Sequence, residues 1–178
     1  MNRKATFCLM LALITALAGC RERTDRREGS VILTISDFDG LPIVVSASST
    51  LVQVDQVTVR NIPKDPTGTT SDLQSVELRS YEVRFVRRDT GTKVPPPVVQ
   101  GWFGLVPVGG NSNLNNVPIL TSDQMLNPPI LDLARTGVDA ETGSTVVVLD
   151  CYMRFFGRTL SGDDVSSDPA RFTIEIRP

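Results

Sequence analysis

Apolar and polar residues alternate along most of this chain with a period of two, a pattern that specifies half-buried β-strands. Successive side chains of a strand point to opposite faces, so each run of this kind must press one face against a core. The clearest run is the last, where Phe172, Ile174 and Ile176 stand against Arg171, Thr173, Glu175 and Arg177. The longest runs from Thr145 to Arg158. There Val147, Leu149, Cys151, Met153 and Phe155 form an unbroken apolar face opposite Asp150, Tyr152 and Arg154. Val31, Leu33 and Ile35 share another face, and Val57 and Val59 alternate with Gln56, Thr58 and Arg60. The stretches Val98 to Val108 and Val117 to Leu120 are further strands, with Gly109-Gly110-Asn111 as a turn between them. One segment changes phase: Val76 and Leu78 are even-numbered, whereas Tyr81, Val83 and Phe85 are odd. An extra residue near Arg79–Ser80, a β-bulge, accounts for such a slip.

A single interruption reads as helical. Ser122 caps a short turn through Gln124 and Met125, Pro128-Pro129 break it, and Ile130 to Arg135 form a second turn before Gly137. About seven strands with Gly-, Pro-, Asp- and Ser-rich loops predict an all-β, antiparallel β-sandwich with a short helical crossover. A small closed β-barrel has the same strand statistics and is the alternative. The crossover, between the fifth and sixth strands, resembles the E–F connection of immunoglobulin-like domains. The Cys…Trp…Cys signature of antibody domains is missing, so that likeness is architectural. The chain shows no internal repeat.

The N-terminus has a different character. Arg3 and Lys4 precede an apolar run from Ala5 to Ala16, and small residues follow, which is the layout of a secretory signal peptide. That run is too short for the roughly 20 residues a bilayer-spanning helix needs. The motif Leu17-Ala18-Gly19-Cys20 resembles the lipobox of bacterial lipoproteins. An ordinary secretory cleavage site is the alternative reading. The resemblance implies cleavage before Cys20, acylation of its sulfur (palmitate is the usual acyl group) and anchorage of the mature chain in the cell envelope. Arg21, where an Asp would retain a lipoprotein in the inner membrane, implies an outer-membrane address facing the periplasm or the cell surface. More loosely, Ser80-Tyr81-Glu82-Val83-Arg84-Phe85, Pro95-Pro96-Pro97, Val106-Pro107-Val108-Gly109-Gly110 and Phe156-Gly157-Arg158-Thr159-Leu160-Ser161-Gly162 resemble a group of uncharacterised bacterial envelope lipoproteins. That resemblance brings architecture and no activity. The expected organisation is a signal peptide over 1–19, a lipidated Cys20 with a charged tether over 20–29, and a β-sandwich domain over 30–178.

Removing residues 1–19 leaves 159 residues, enough for one domain. Arg3 and Lys4 leave with them. Of eighteen basic residues sixteen remain against twenty acidic, a net charge of −4. A mildly acidic domain has no overall electrostatic drive toward nucleic acid or anionic lipid. Cys8 departs with the signal peptide and Cys20 is spent on lipid, so Cys151 is the one thiol left and no intramolecular disulfide forms. The fold is therefore expected to rest on its apolar core, without disulfide, metal or other cofactor.

The chain contains no histidine, which excludes His-based triads, Cys–His dyads and zinc sites with His ligands. Cys151, on an apolar strand face, reads as a buried and unreactive thiol. The glycines lack phosphate-loop spacing. No catalytic residue is expected, although a carboxylate-based hydrolase would need only acids. Asp37, Asp39, Asp139 and Glu141 are weak calcium candidates. The loop from Asp37 places Leu41 and Pro42 where a Ca²⁺ loop needs an oxygen ligand and a glycine, so turn-capping acids explain these residues better. Trp102 is a candidate docking aromatic, with a place in the core as its plainer reading. The expectation is a lipid-anchored envelope protein with a structural or protein-docking role and an envelope protein as partner. The alternatives are a ligand- or glycan-binding lipoprotein, for which one Trp and two Tyr are a poor stacking inventory, and the carboxylate hydrolase.

Overall fold

The computed structural model describes residues 29–41 and 43–178; the signal segment, Cys20 and the tether up to residue 28 lie outside the described residues. Two sheets pack as a sandwich. The smaller is antiparallel and has the order β1-β3-β6, from β1 (Val31–Asp39), β3 (Val52–Pro63) and β6 (Asn111–Leu120). The larger has the order β2-β9-β7-β4-β5, with β8 paired to β7. Its strands are β2 (Ile43–Ser46), β4 (Val76–Arg87), β5 (Val98–Val106), β7 (Val147–Thr159), β8 (Asp164–Ser166) and β9 (Ala170–Arg177). Two short helices, α1 (Ser122–Met125) and α2 (Ile130–Thr136), lead from β6 to β7 and so from one sheet to the other. This is the expected helical crossover, and Gly137 ends it in the left-handed conformation at φ 76°.

The all-β sandwich inferred from alternation is the fold found, with two strands added. β2 and β8 span four and three residues, too few for a period to declare itself. β2 also pairs in parallel with β9, against the antiparallel rule of the remaining ladders. The turn before β6 is tighter than the sequence suggests. Pro107 to Gly110 makes it, with the Gly110 N–H donating to the Pro107 carbonyl at 3.0 Å, and Asn111 already belongs to the strand. Asparagine is disfavoured in strands, which hid the first half of β6.

The phase slip in β4 is a real bulge. Leu78 pairs with Gly157 and Ser80 with Phe156, leaving Arg79 as the extra residue, so Leu78 and Tyr81 both face inward. Gly157 makes this possible. A Cβ there would lie 2.6 Å from the Glu77 carbonyl oxygen and 2.8 Å from Val76 Cγ1. Neither the backbone nor a β-branched side chain in mid-sheet can step aside cheaply. Gly157→Ala is therefore expected to cost about 1–3 kcal/mol, read as a lowered midpoint in thermal unfolding. An unchanged midpoint would contradict the bulge geometry.

The core lies between the sheets. Phe38 of β1 meets Phe172 of β9 with ring centroids 4.9 Å apart, and Tyr81 meets Phe155 within the larger sheet at 5.5 Å. Two buried polar groups join the layers. The Tyr81 hydroxyl donates to the Pro118 carbonyl of β6 at 2.8 Å and lies 2.6 Å from the Gln100 side-chain amide. Asn61 of β3 donates through Nδ2 to the carbonyls of Gln74 (2.9 Å) and Val106 (3.3 Å). The great majority of buried donors are paired, and these contacts tie the two sheets together.

Candidate functional site

β5 is the outer strand of the larger sheet and, among the described residues, pairs with β4 alone. Its sequence, Val-Val-Gln-Gly-Trp-Phe-Gly-Leu-Val, carries no charge. Leu78 pairs with Gly104 and Ser80 with Gly101, so Trp102 and Phe103 together oppose Arg79. This local widening sends the two aromatics in opposite directions. Trp102 turns inward, half-buried against the core, with its ring edge-on to Tyr81 at 6.0 Å and 72°. Phe103 turns outward and is 86 % exposed, flanked on the same face by Val99 at 69 % and Leu105 at 53 %.

An edge strand with an apolar, uncharged outer face is what folded proteins ordinarily avoid or cover. Neither a lysine nor a proline within the strand protects β5, and its bulge is the one such device it carries. Its free edge offers backbone donors and acceptors, and Phe103 offers a rigid apolar anchor. The exposed aromatic of this surface is thus Phe103, while Trp102 props the strand from within. Sequence alone could not separate them. Residues of both parities in β5 are apolar, so alternation there names no outer face.

The acidic candidates fall into two groups. Asp37 and Asp39 end β1, where each carboxylate accepts the N–H of the next residue, Phe38 at 2.9 Å and Gly40 at 2.8 Å. Asp139 and Glu141 lie in the loop between α2 and β7 and hold a different cation, the Arg87 guanidinium. Arg87 ends β4 with its side chain 1 % exposed. Its Nε and Nη2 donate to the two oxygens of Asp89, both at 2.6 Å, and Nη2 also donates to Asp139 Oδ2 at 2.9 Å. Glu141 stands 3.6 Å from Nη1 and accepts from the N–H groups of Thr92 (2.8 Å) and Lys93 (3.0 Å). Gly91 lies against the guanidinium so closely that a Cβ there would fall on it. The result is a clamp joining the β4–β5 loop to the α2–β7 loop. Among the described residues, no three acidic or cysteine side chains are placed to hold a metal ion together.

The clamp sets the protonation of its acids. Burial pushes the Asp139 carboxyl up, but hydrogen bonds from Arg87 and Thr142 outweigh it and hold the pKa at about 2. The Arg87 hydrogen bond likewise lowers Asp89, and the Lys93 N–H together with Thr92 lowers Glu141. Cys151 is fully enclosed on the inner face of β7, paired with Phe85 on one side and Phe172 on the other. Burial, reinforced by the neighbouring Asp150 charge, raises its pKa far above the range where thiols react.

No protein-family model matches the chain, and no curated protein or solved structure matches it either.

Proposed function

We propose that this chain is a lipid-anchored protein of the bacterial cell envelope, acylated at Cys20, whose β-sandwich docks onto an envelope protein through β5 and performs no catalysis. The observation that carries the docking role is the exposed apolar face of Val99, Phe103 and Leu105 on an edge strand paired on one side only. A stable interface needs a few buried aromatic anchors inside a polar rim, and Phe103 is such an anchor. The lipobox-like motif supports the location, and its Arg21 an outer-membrane address. The acids also favour the non-catalytic reading, because the close carboxylates of Asp89, Asp139 and Glu141 are already engaged by Arg87.

A ligand-binding reading draws on one observation, an open cleft of about 470 Å³ lined by Arg88, Asp89, Thr142, Ser144, Val146 and Val148. Its walls carry no aromatic ring to stack on a sugar, so the β5 edge has the stronger support.

The docking role is tested by native electrophoresis of detergent-solubilised envelopes. Wild-type protein is expected to migrate as part of a larger assembly, and Phe103→Ser with Val99→Ser to migrate alone. The exposed substitutions should shift stability by no more than about 0.5 kcal/mol, so loss of the assembly would not reflect unfolding. Equal migration of both proteins would remove β5 as the docking surface.

A further inference from the structure

The net negative charge of the chain conceals an uneven distribution on the outer face of the larger sheet. The β4–β7 and β7–β9 registers set Arg84, Tyr152 and Arg171 in one row across three strands. Arg154 stands in the next row, opposite Glu82. Arg88 follows β4 on the same side, where it lies 3.7 Å from Asp150. Four arginines therefore share two carboxylates. Glu82 takes Arg84 at 2.8 Å, and Asp150 takes Arg171 at 2.7 Å as well as Arg88. Arg154 has no carboxylate partner among the described residues, and its Nε is buried without a hydrogen bond.

The Arg154 side chain also borders a cavity. On the outer face of the β4–β7 pair a cleft of about 70 Å³ is lined by Glu82, Arg84, Tyr152, Arg154 and Pro169. A guanidinium without a carboxylate partner is well placed to take the oxygens of an anion as acceptors. Guanidinium groups match the oxygens of phosphate and sulfate bidentately, and a tyrosine hydroxyl adds a neutral donor. Glu82 is the one anion on the cleft wall and is occupied by Arg84, so Arg154 supplies the uncompensated charge. We infer that this cleft is a binding site for a tetrahedral oxyanion, a phosphate or sulfate group, with Arg154 as its principal ligand and Arg84 and Tyr152 beside it. The site adjoins the β5 surface, since Val99 pairs with Glu82 of its wall, but it does not depend on the docking role.

The test is calorimetric titration of the full chain in uncharged detergent with sodium phosphate, sodium sulfate and glycerol 3-phosphate, against sodium chloride at matched ionic strength. Saturable binding of at least one oxyanion is expected, with chloride silent. Arg154→Gln should weaken binding at least about tenfold, the effect of losing one charge-assisted hydrogen bond. Arg84→Gln, at an exposed side chain, should weaken it less, and Arg60→Gln on the smaller sheet should leave it unchanged. Tighter binding of glycerol 3-phosphate than of phosphate assigns the site to a phosphoryl group carried on a larger molecule such as a lipid headgroup; the reverse order assigns it to the free ion. Thermal unfolding confirms that Arg154→Gln is folded, and Arg84→Gln serves if it is not. Absence of saturable binding, or affinity unchanged in both variants, overturns the inference.

Discussion

Replacing Arg87 by methionine is expected to cost about 3–5 kcal/mol of folding stability, the usual consequence of removing one member of a buried ion pair. For a domain of this size that is a fall in Tm of roughly 6–20 °C. The cause is the acid left behind. Asp139 is fully buried, and without Arg87 only the Thr142 hydrogen bonds compensate its charge. Asp89 and Glu141 can turn to water, because their side chains are 30 % and 24 % exposed. The double change Arg87→Met with Asp139→Leu should recover much of the loss, since replacing a whole buried pair by apolar groups is often near neutral. A double variant no more stable than Arg87→Met would show that the clamp acts through some other contact.

The same clamp gives the protein an acid limit. The Asp139 pKa is depressed in the folded state, to about 2 from an ordinary value of 3.8. Between those values the unfolded chain binds more protons than the folded one, so stability rises with pH across that window. The contribution is complete above about pH 4 and is lost as pH falls toward 2. Asp139→Asn should flatten that part of the stability profile while lowering stability at neutral pH.

Cys151→Asp is the second large effect, and it should abolish cooperative unfolding. The position is enclosed among Phe85, Phe172 and the core side chains of β7, and neither of its cross-strand partners is a cation. An unpaired buried charge belongs to the rare class of substitutions that exceed about 4–5 kcal/mol. Cys151→Ala should remain folded at the modest cost of a small cavity. In the wild type the thiol should stay unmodified by Ellman's reagent until denaturant is added. Rapid native labelling would place the apolar face of β7 on the wrong side.

Both effects bear on how legible the fold was. The inward face of β7 could be read residue by residue because its partners alternate cleanly with Asp150, Tyr152 and Arg154. The bulge in β4 was legible for the same reason, since a change of parity has few other causes. Arg87 was missed although its signal was present. It continues the inward series Tyr81, Val83, Phe85, and a charged residue in such a series predicts a buried ion pair. Asp89 is two residues on, but Asp139 and Glu141 lie in a loop some fifty residues downstream, which the β4–β7 ladder brings to it. β2 and β8 were illegible because three or four residues cannot establish a period. Phe103 was hidden in a run apolar on both faces, and Arg154 looked like any outward arginine until the cross-strand rows showed its carboxylates already shared.

Anchorage at Cys20 is the premise on which the location and the docking role both stand, and intact-mass spectrometry of the chain purified from its native envelope tests it most directly. The account predicts a polypeptide that begins at Cys20, with residues 1–19 removed and with the added mass of a diacylglyceryl group, with or without a further acyl chain. It also predicts that Cys20→Ser yields only the uncleaved, unacylated precursor. Wild-type protein with an unmodified Cys20, whether cleaved elsewhere or retaining residues 1–19, would contradict it.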